Sequence, residues 1–312
     1  MDAVDVHQHL LGEPLIEALG HRAAPPRLAP CREGWIFKLA AEPDSILTPA
    51  AIDVELRLAE LAADGIDRAL VALSTALGIE SLPREEAEAL IESHHLGLEE
   101  LPIEFAGWGA VPLVEPDPAD IDAALDRGCV GITLPATALA HPAAVERLAP
   151  LLERLEEREA PLFVHPGPVA PGDGAGSAGR LPHWWPALTD YVAQMQAAWF
   201  AFLHAGRPSH PRLRVLFAAL AGGAPLQLER YAARRGVPAP EPDPLVFYDT
   251  SSYGPRLIGT MAAAVGAGQL VHGSDRPVVD LRTAWPDPGL RRAAMAVNPD
   301  RLLNPDPKGA LA

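Results

Sequence analysis

Three histidines and one aspartate, far apart in the chain, are the residues best suited to do chemistry together. His7 and His9 flank Gln8 at the end of the apolar run that opens the chain. In an extended segment residues i and i+2 share a face, so both imidazoles point the same way. Two neutral imidazoles on rigid backbone make half of a site for zinc or a related transition metal. Two solvated histidines at a strand end are the plainer alternative. His165 closes the run Pro161-Leu162-Phe163-Val164 and is followed at once by Pro166-Gly167, a strand stopped at an imidazole. A core histidine bonded to backbone is the alternative there. Asp275 follows the last apolar run, in His272-Gly273-Ser274-Asp275-Arg276-Pro277. Besides ligating a cation it could accept a proton from cation-bound water; its plainer roles are a helix cap or a salt bridge to Arg276. Three histidines and an aspartate, gathered at the ends of three expected strands, favour the metal site.

Bringing three strand ends to one point calls for a fold whose strands are parallel and close on themselves. Strand candidates lie at 3–7, 68–73, 104–111, 129–134, 161–165, 213–218, 245–250 and 269–273. Several are almost wholly apolar, as strands buried on both faces are. Helical stretches alternate with them, which implies right-handed βαβ units and a (β/α)8 TIM barrel of the α/β class. No glycine-rich dinucleotide turn follows the first strand, which argues against a doubly wound sheet. Helix starts are legible at Thr48-Pro49 and Asp117-Pro118, and stops at Gly65 and Gly128. Residues 142–159 carry Val145, Leu148, Leu152 and Leu155 on one stripe. With no fixed-period repeat and no evident linker, residues 1–312 are expected to form a single barrel domain. Two stretches break its rhythm: a long insertion at 10–47 after the first strand, and a Gly/Pro-rich loop at 166–186 after the fifth. Both leave the carboxyl ends of strands, where barrel active sites lie.

The chain has 312 residues, 48% of them hydrophobic, enough for a large core. Its net charge of −16 repels phosphate backbones and anionic membranes, so nucleic acid and membrane surfaces are excluded as expected partners. Two cysteines, Cys31 and Cys129, give no disulfide framework and no CxxC pair. The start MDAVDVHQHL lacks the pattern of a signal peptide, and no apolar run approaches the ~20 residues of a membrane span. A cytoplasmic protein is the expectation.

Asp5-Val6-His7-Gln8-His9, Phe163-Val164-His165-Pro166-Gly167 and Gly273-Ser274-Asp275-Arg276-Pro277 together resemble the amidohydrolase-2 family. This branch of the metal-dependent amidohydrolase superfamily includes aminocarboxymuconate-semialdehyde decarboxylase and related decarboxylases and hydrolases. The ending Asn298-Pro299-Asp300-Arg301-Leu302-Leu303 is similar to the family's last helix start. The resemblance runs in order over nearly the whole chain. It implies a distorted barrel holding one divalent metal through His7, His9, His165 and Asp275, without a carboxylated lysine; the fourth strand offers Thr133 instead. One departure is informative. The family usually carries a histidine shortly before a Gly-Gly pair after the sixth strand, and here the segment reads Phe217-Ala218-Ala219-Leu220-Ala221-Gly222-Gly223. Alanine cannot move a proton. Among the remaining histidines, His210 is expected on the opposite face of the barrel, His204 remote, His272 turned away from Asp275, and His94-His95 at the surface. His183, in the loop His183-Trp184-Trp185-Pro186, can reach over the pocket and is the expected catalytic substitute, a surface histidine beside tryptophans being the plainer alternative. Trp184 and Trp185 are candidates to stack on a planar substrate, Arg276 to pair with its carboxylate and Tyr253 to hydrogen-bond it, each against a bland packing alternative.

Two reactions fit this set. In hydrolysis, water activated by the cation attacks a lactone, amide or ester while Asp275 receives the proton. In non-oxidative decarboxylation, the cation anchors a substrate carboxylate and a proton replaces carbon dioxide. Hydrolysis is ranked slightly ahead, with a barrel that keeps its metal pocket but has lost turnover as a third reading. Three imidazoles and a carboxylate suit zinc first, with manganese, iron or cobalt tolerated. The expected partner is a small-molecule substrate, and the expected assembly a homodimer.

Overall fold

In the computed structural model, which describes residues 2–32, 34–40, 42–169, 182, 184–279 and 283–304, all eight expected strands form. They are β1 (Val4–Gln8), β5 (Arg68–Val71), β6 (Phe105–Gly107), β7 (Ile132–Pro135), β8 (Leu162–His165), β9 (Val215–Phe217), β10 (Val246–Asp249) and β11 (Leu270–Val271). Each paired couple runs parallel, in the orders β1-β5-β6 and β11-β10-β9-β8-β7. Backbone bonds join the two arcs at both seams. Val6 N donates to the His272 carbonyl at 2.8 Å and His9 N to that of Arg276 at 2.7 Å; across the ring, Gly109 N donates to Gly131 and Thr133 N to Gly109, both at 2.8 Å. Strand succession follows the chain around the ring, as βαβ crossovers dictate.

The strands are buried along their length because helices cover the outer face while side chains fill the inside. Val6, Leu70, Trp108, Phe163, Phe217 and Phe247 are among the buried residues of the main core. Trp108 is wholly buried, and its indole N–H donates to the Val6 carbonyl at 2.9 Å. Thr133 is buried on β7.

Local chemistry explains where expected helices begin and end. Asp117 caps the Pro118–Asp126 helix through a bond from Ala119 N, and Gly65 (φ +67°) ends the Val54–Asp64 helix in the left-handed region. Thr48 does not start that helix. Pro49–Ala51 is one 3-10 turn, and the cap is Asp53, whose carboxylate accepts from Leu56 N at 3.0 Å. The 142–159 segment is two helices, Pro142–Arg147 and Ala149–Glu157. Pro150 lacks the N–H an uninterrupted helix needs there. Val145, Leu148, Leu152 and Leu155 are buried as the stripe requires.

The 10–47 insertion is folded in a way its sequence conceals. After the helix Glu13–Gly20 it forms an antiparallel meander, β2 (Arg27–Cys31), β3 (Gly34–Lys38) and β4 (Ser45–Leu47). Leu15, Leu19, Leu28 and Leu47 pack with Ala87, Leu90 and Ile91 of the Arg84–Glu99 helix in a second core. The close approach depends on glycines: a Cβ on Gly12 would lie 2.6 Å from the Gly97 Cα. The meander thus roofs the carboxyl end of the barrel. No helix among the described residues is long and apolar enough to cross a membrane.

Candidate metal centre

His7 and His9 end β1, His165 ends β8, and Asp275 sits four residues past the end of β11. One potential donor atom from each lies within 4.8 Å of all the others. His7 Nε2 and His9 Nε2 are 3.2 Å apart, and Asp275 Oδ1 lies 3.4 and 3.2 Å from them. The His165 ring stands 4.9 Å from that of His7 and 5.0 Å from that of His9. Asp275 reaches inward because its backbone takes φ +58°, a left-handed conformation costly for a residue with a Cβ.

Every imidazole is held from behind through Nδ1. His7 Nδ1 donates to Asp249 Oδ2 at 2.7 Å and His9 Nδ1 to the Ala72 carbonyl at 2.9 Å. His165 Nδ1 lies 3.0 Å from both the Pro166 carbonyl and Thr75 Oγ1. Thr75 spends its own proton on that same carbonyl, at 2.7 Å, so its oxygen can accept from His165. Carbonyls and ionised carboxylates only accept, which fixes the proton of each neutral ring on Nδ1 and leaves an Nε2 lone pair facing the centre. Asp275 Oδ1 is likewise buried without a hydrogen-bond partner among the described residues. Four electron-rich atoms converge with no proton between them. That arrangement is repulsive unless a cation lies among them, and three nitrogens with one carboxylate oxygen fit a divalent metal.

Electrostatics agree. Burial opposes charge on His7, but Asp249 and then Asp275 raise its pKa to about 9, so without a cation a second proton would sit on its Nε2, in the place a metal would take. His165 is pushed well below the ordinary value by burial and then by the other two histidines, keeping its lone pair available. Burial also opposes ionisation of Asp249, yet His7 and the Ser251 donors hold its carboxyl below the usual range. Asp249 Oδ1 accepts from Ser251 N and Ala219 N, both at 2.9 Å, and from Ser251 Oγ at 2.6 Å. Ala219, which has no side-chain group able to move a proton, thus contributes through its backbone. Ala219, Leu220 and Ala221 all take positive φ (48°, 50° and 53°), and this tight turn aims the Ala219 N–H at Asp249.

A cavity of about 370 Å³ opens beside the centre. Its walls are mainly apolar, with Phe37, Ile46 and Leu47 from the meander facing Leu73 and Leu77. His9, His165 and Asp275 line one side; Glu42, Tyr191 and His94 are the other titratable groups in the wall. Sequence reasoning missed Asp249, Thr75, Glu42 and Tyr191. Asp249 was within reach of the strand-end argument that found His165.

The structure redistributes the other candidates. Arg276 is turned away from the cavity: its guanidinium pairs with Asp64 at 2.8 Å and Glu60 at 3.4 Å on the Val54–Asp64 helix. Gln8 likewise points outward, bonding Asp5 at 2.7 Å and Arg57. Trp184 and Trp185 are 55% and 38% exposed, lean on each other at 5.8 Å, and do not line the cavity. Tyr253 packs against the main core and is also absent from its wall. His183 lies outside the described residues. His94 and His95 are not at the surface: both are buried, with pKa values pushed down to about 3 and about 4, chiefly by burial. His95 Nε2 accepts from Ala110 N at 3.1 Å. His272 faces Asp5 and Trp285, away from the centre.

No protein-family model and no curated protein matches the chain. Solved structures do. The IDCase of Metarhizium anisopliae in apo form superposes with a TM-score of 0.75 at 20% identity, over 97% of each chain. The 5-carboxyvanillate decarboxylase of Novosphingobium aromaticivorans, complexed with manganese and 4-hydroxy-3-methoxy-5-nitrobenzoic acid, gives 0.70 at 16% identity over 96% of this chain and 95% of that one. An amidohydrolase II structure gives 0.69 at 19% identity over 96% and 99%. The chain shares the TIM-barrel fold of these proteins, and this fold is the one its amidohydrolase-2 resemblance implies.

Proposed function

We propose that the chain is a metal-dependent enzyme of the amidohydrolase-2 type that removes carbon dioxide from a small carboxylated substrate. The observation that carries this reading is the convergence of three Nε2 lone pairs and the partnerless Asp275 Oδ1 on one point. A similarly folded protein whose name is that of a decarboxylase holds manganese with a substituted benzoate, and this supports decarboxylation over the hydrolysis ranked first from sequence.

His7, His9, His165 and Asp275 would hold the ion, with manganese and zinc the first to test. A bound dication would supply a Lewis acid that anchors an anionic oxygen of the substrate. Asp249, the Ala72 carbonyl and Thr75 keep the imidazoles oriented. Asp275, 16% exposed in its side chain, is the group placed to hold a proton at its outer oxygen and pass it to carbon. The electron pair of the breaking C–C bond stays on the substrate carbon, that proton takes the vacated position, and carbon dioxide leaves. The apolar walls exclude water from a carboxylate that loses its charge as it departs. Hydrolysis is the second reading, because the same Asp275 oxygen could accept a proton from an attacking water.

The test is to strip the protein, reload it with manganese or zinc, and present carboxylated aromatics, lactones and esters. Carbon dioxide release that needs the metal, and that is lost in Asp275→Asn, supports decarboxylation. A new acid without carbon dioxide moves the assignment to hydrolysis. Silence from stoichiometrically loaded protein across all panels supports a barrel without turnover.

A further inference from the structure

Glu42 and Tyr191, 149 residues apart in sequence, meet side by side in the cavity wall. Glu42 lies between β3 and β4 of the meander, and Tyr191 in the Asp190–Ala201 helix. The Tyr191 phenol donates to Glu42, with both carboxylate oxygens 2.8 Å from Oη. The Val169 backbone bonds the same carboxylate. A phenol has one proton, and here it is committed to Glu42. What the pair offers the cavity is therefore acceptors only: the remaining lone pairs of a carboxylate and of a phenol oxygen.

Charge adds to this. Asp190 raises the Glu42 pKa after burial does, and Asp275 and Asp190 both act on Tyr191 in the same sense. No Lys or Arg side chain lines the cavity among the described residues. This part of the wall is thus an acidic, accepting surface set in an apolar chamber sized for a small molecule.

We propose that Glu42 and Tyr191 form a specificity subsite that accepts a hydrogen bond from a hydroxyl or amino group of the substrate. The preferred substrate is then a monocarboxylate whose apolar body carries a donor away from the metal-binding end, and a second carboxylate at that position is rejected. This rests on the metal-centre reading above, because the metal orients the donor toward the pair. A merely structural tie between meander and helix predicts no discrimination among such ligands.

The test is calorimetric binding at pH 7 to zinc-loaded protein, with benzoate, 3- and 4-hydroxybenzoate, isophthalate and terephthalate as probes. One hydroxybenzoate should bind about tenfold more tightly than benzoate, as a hydrogen bond to a charged acceptor provides. Both dicarboxylates should bind more weakly than benzoate. In Glu42→Gln, with each affinity taken relative to that variant's own benzoate affinity, the hydroxyl advantage should fall to about twofold and the dicarboxylate penalty shrink. Tyr191→Phe is the second variant. Without the phenol proton the Glu42 carboxyl is more readily protonated, so the dicarboxylate penalty should shrink there too. Equal affinities of wild type for benzoate and both hydroxybenzoates would overturn the proposal, as would an advantage that survives Glu42→Gln. If the loaded protein binds no benzoate at all, the metal-centre reading fails and the subsite falls with it; if benzoate binds without discrimination, only the subsite fails.

Discussion

Replacing Asp249 by asparagine should weaken metal binding although Asp249 is not one of the four converging donors. Its two oxygens have separate duties: Oδ2 accepts from His7 Nδ1, and Oδ1 accepts from Ala219 N, Ser251 N and Ser251 Oγ. An amide has one acceptor oxygen and one donor nitrogen, so it cannot serve both sides. If the amide NH2 faces the three donors, Ser251 can turn its hydroxyl away, but two backbone N–H groups stay unsatisfied, at about 1–3 kcal/mol each. If the NH2 faces His7, the ring must move its proton to Nε2, and the lone pair aimed at the metal is lost. Either arrangement also removes a buried negative charge beside the centre. Loss of such an outer partner lowers metal affinity about 10–100-fold. The assay is competition for zinc against a chromophoric chelator, comparing wild type, Asp249→Asn and Ser251→Ala. The serine variant removes one of three donors and should lose only a few-fold. Zinc affinity in a folded Asp249→Asn protein within twofold of wild type would refute the reasoning, because His7 would then need no anchor.

Asp275→Asn should keep the fold while losing metal-dependent turnover by about a hundredfold or more, since an amide cannot exchange the proton; steady-state kinetics at equal metal occupancy check this. Gly12→Ala places a methyl 2.6 Å from the Gly97 Cα and should destabilise by about 1–3 kcal/mol in urea unfolding. His95 is neutral when folded, with its pKa lowered to about 4 by burial first. The unfolded chain takes up its proton nearer pH 6.5, so this group's share of stability is present above that pH and is lost as pH falls toward 4, at up to about 1.4 kcal/mol per unit. In His95→Gln, urea unfolding at pH 7, 6 and 5 should show a shallower acid loss than wild type, and an unchanged slope would contradict the assignment.

Much of the centre could be read from period-two alternation and strand ends alone. His7 and His9 share a face because one residue separates them, and His165 is held where Pro166 stops its strand. His272 faces away from the centre as expected, whereas Arg276 could not be placed by alternation, because the left-handed backbone of Asp275 interrupts the extended chain just before it. What stayed hidden depends on contacts between distant segments. Asp249 ends its strand as His165 does, so its position was legible, but its task of holding His7, 242 positions away, was not. The meander was concealed because Arg27-Leu28-Ala29-Pro30-Cys31 has a proline in a strand and weak alternation, tolerated since β2 is an edge. His94 and His95 seemed solvated because glutamates surround them in sequence, yet the helix turns both rings inward toward the Trp108–Ala110 backbone. Glu42 and Tyr191 carry no local signal at all; only the roofing of the barrel by the insertion brings them together.

The most direct measurement is zinc analysis with X-ray absorption on reconstituted protein, wild type beside a His7→Ala/His9→Ala double variant. Wild type should retain one zinc per chain, with imidazole nitrogens at about 2.0–2.1 Å, and the variant should retain essentially none. Zinc held equally by both proteins, or by neither, would contradict a centre built from these side chains.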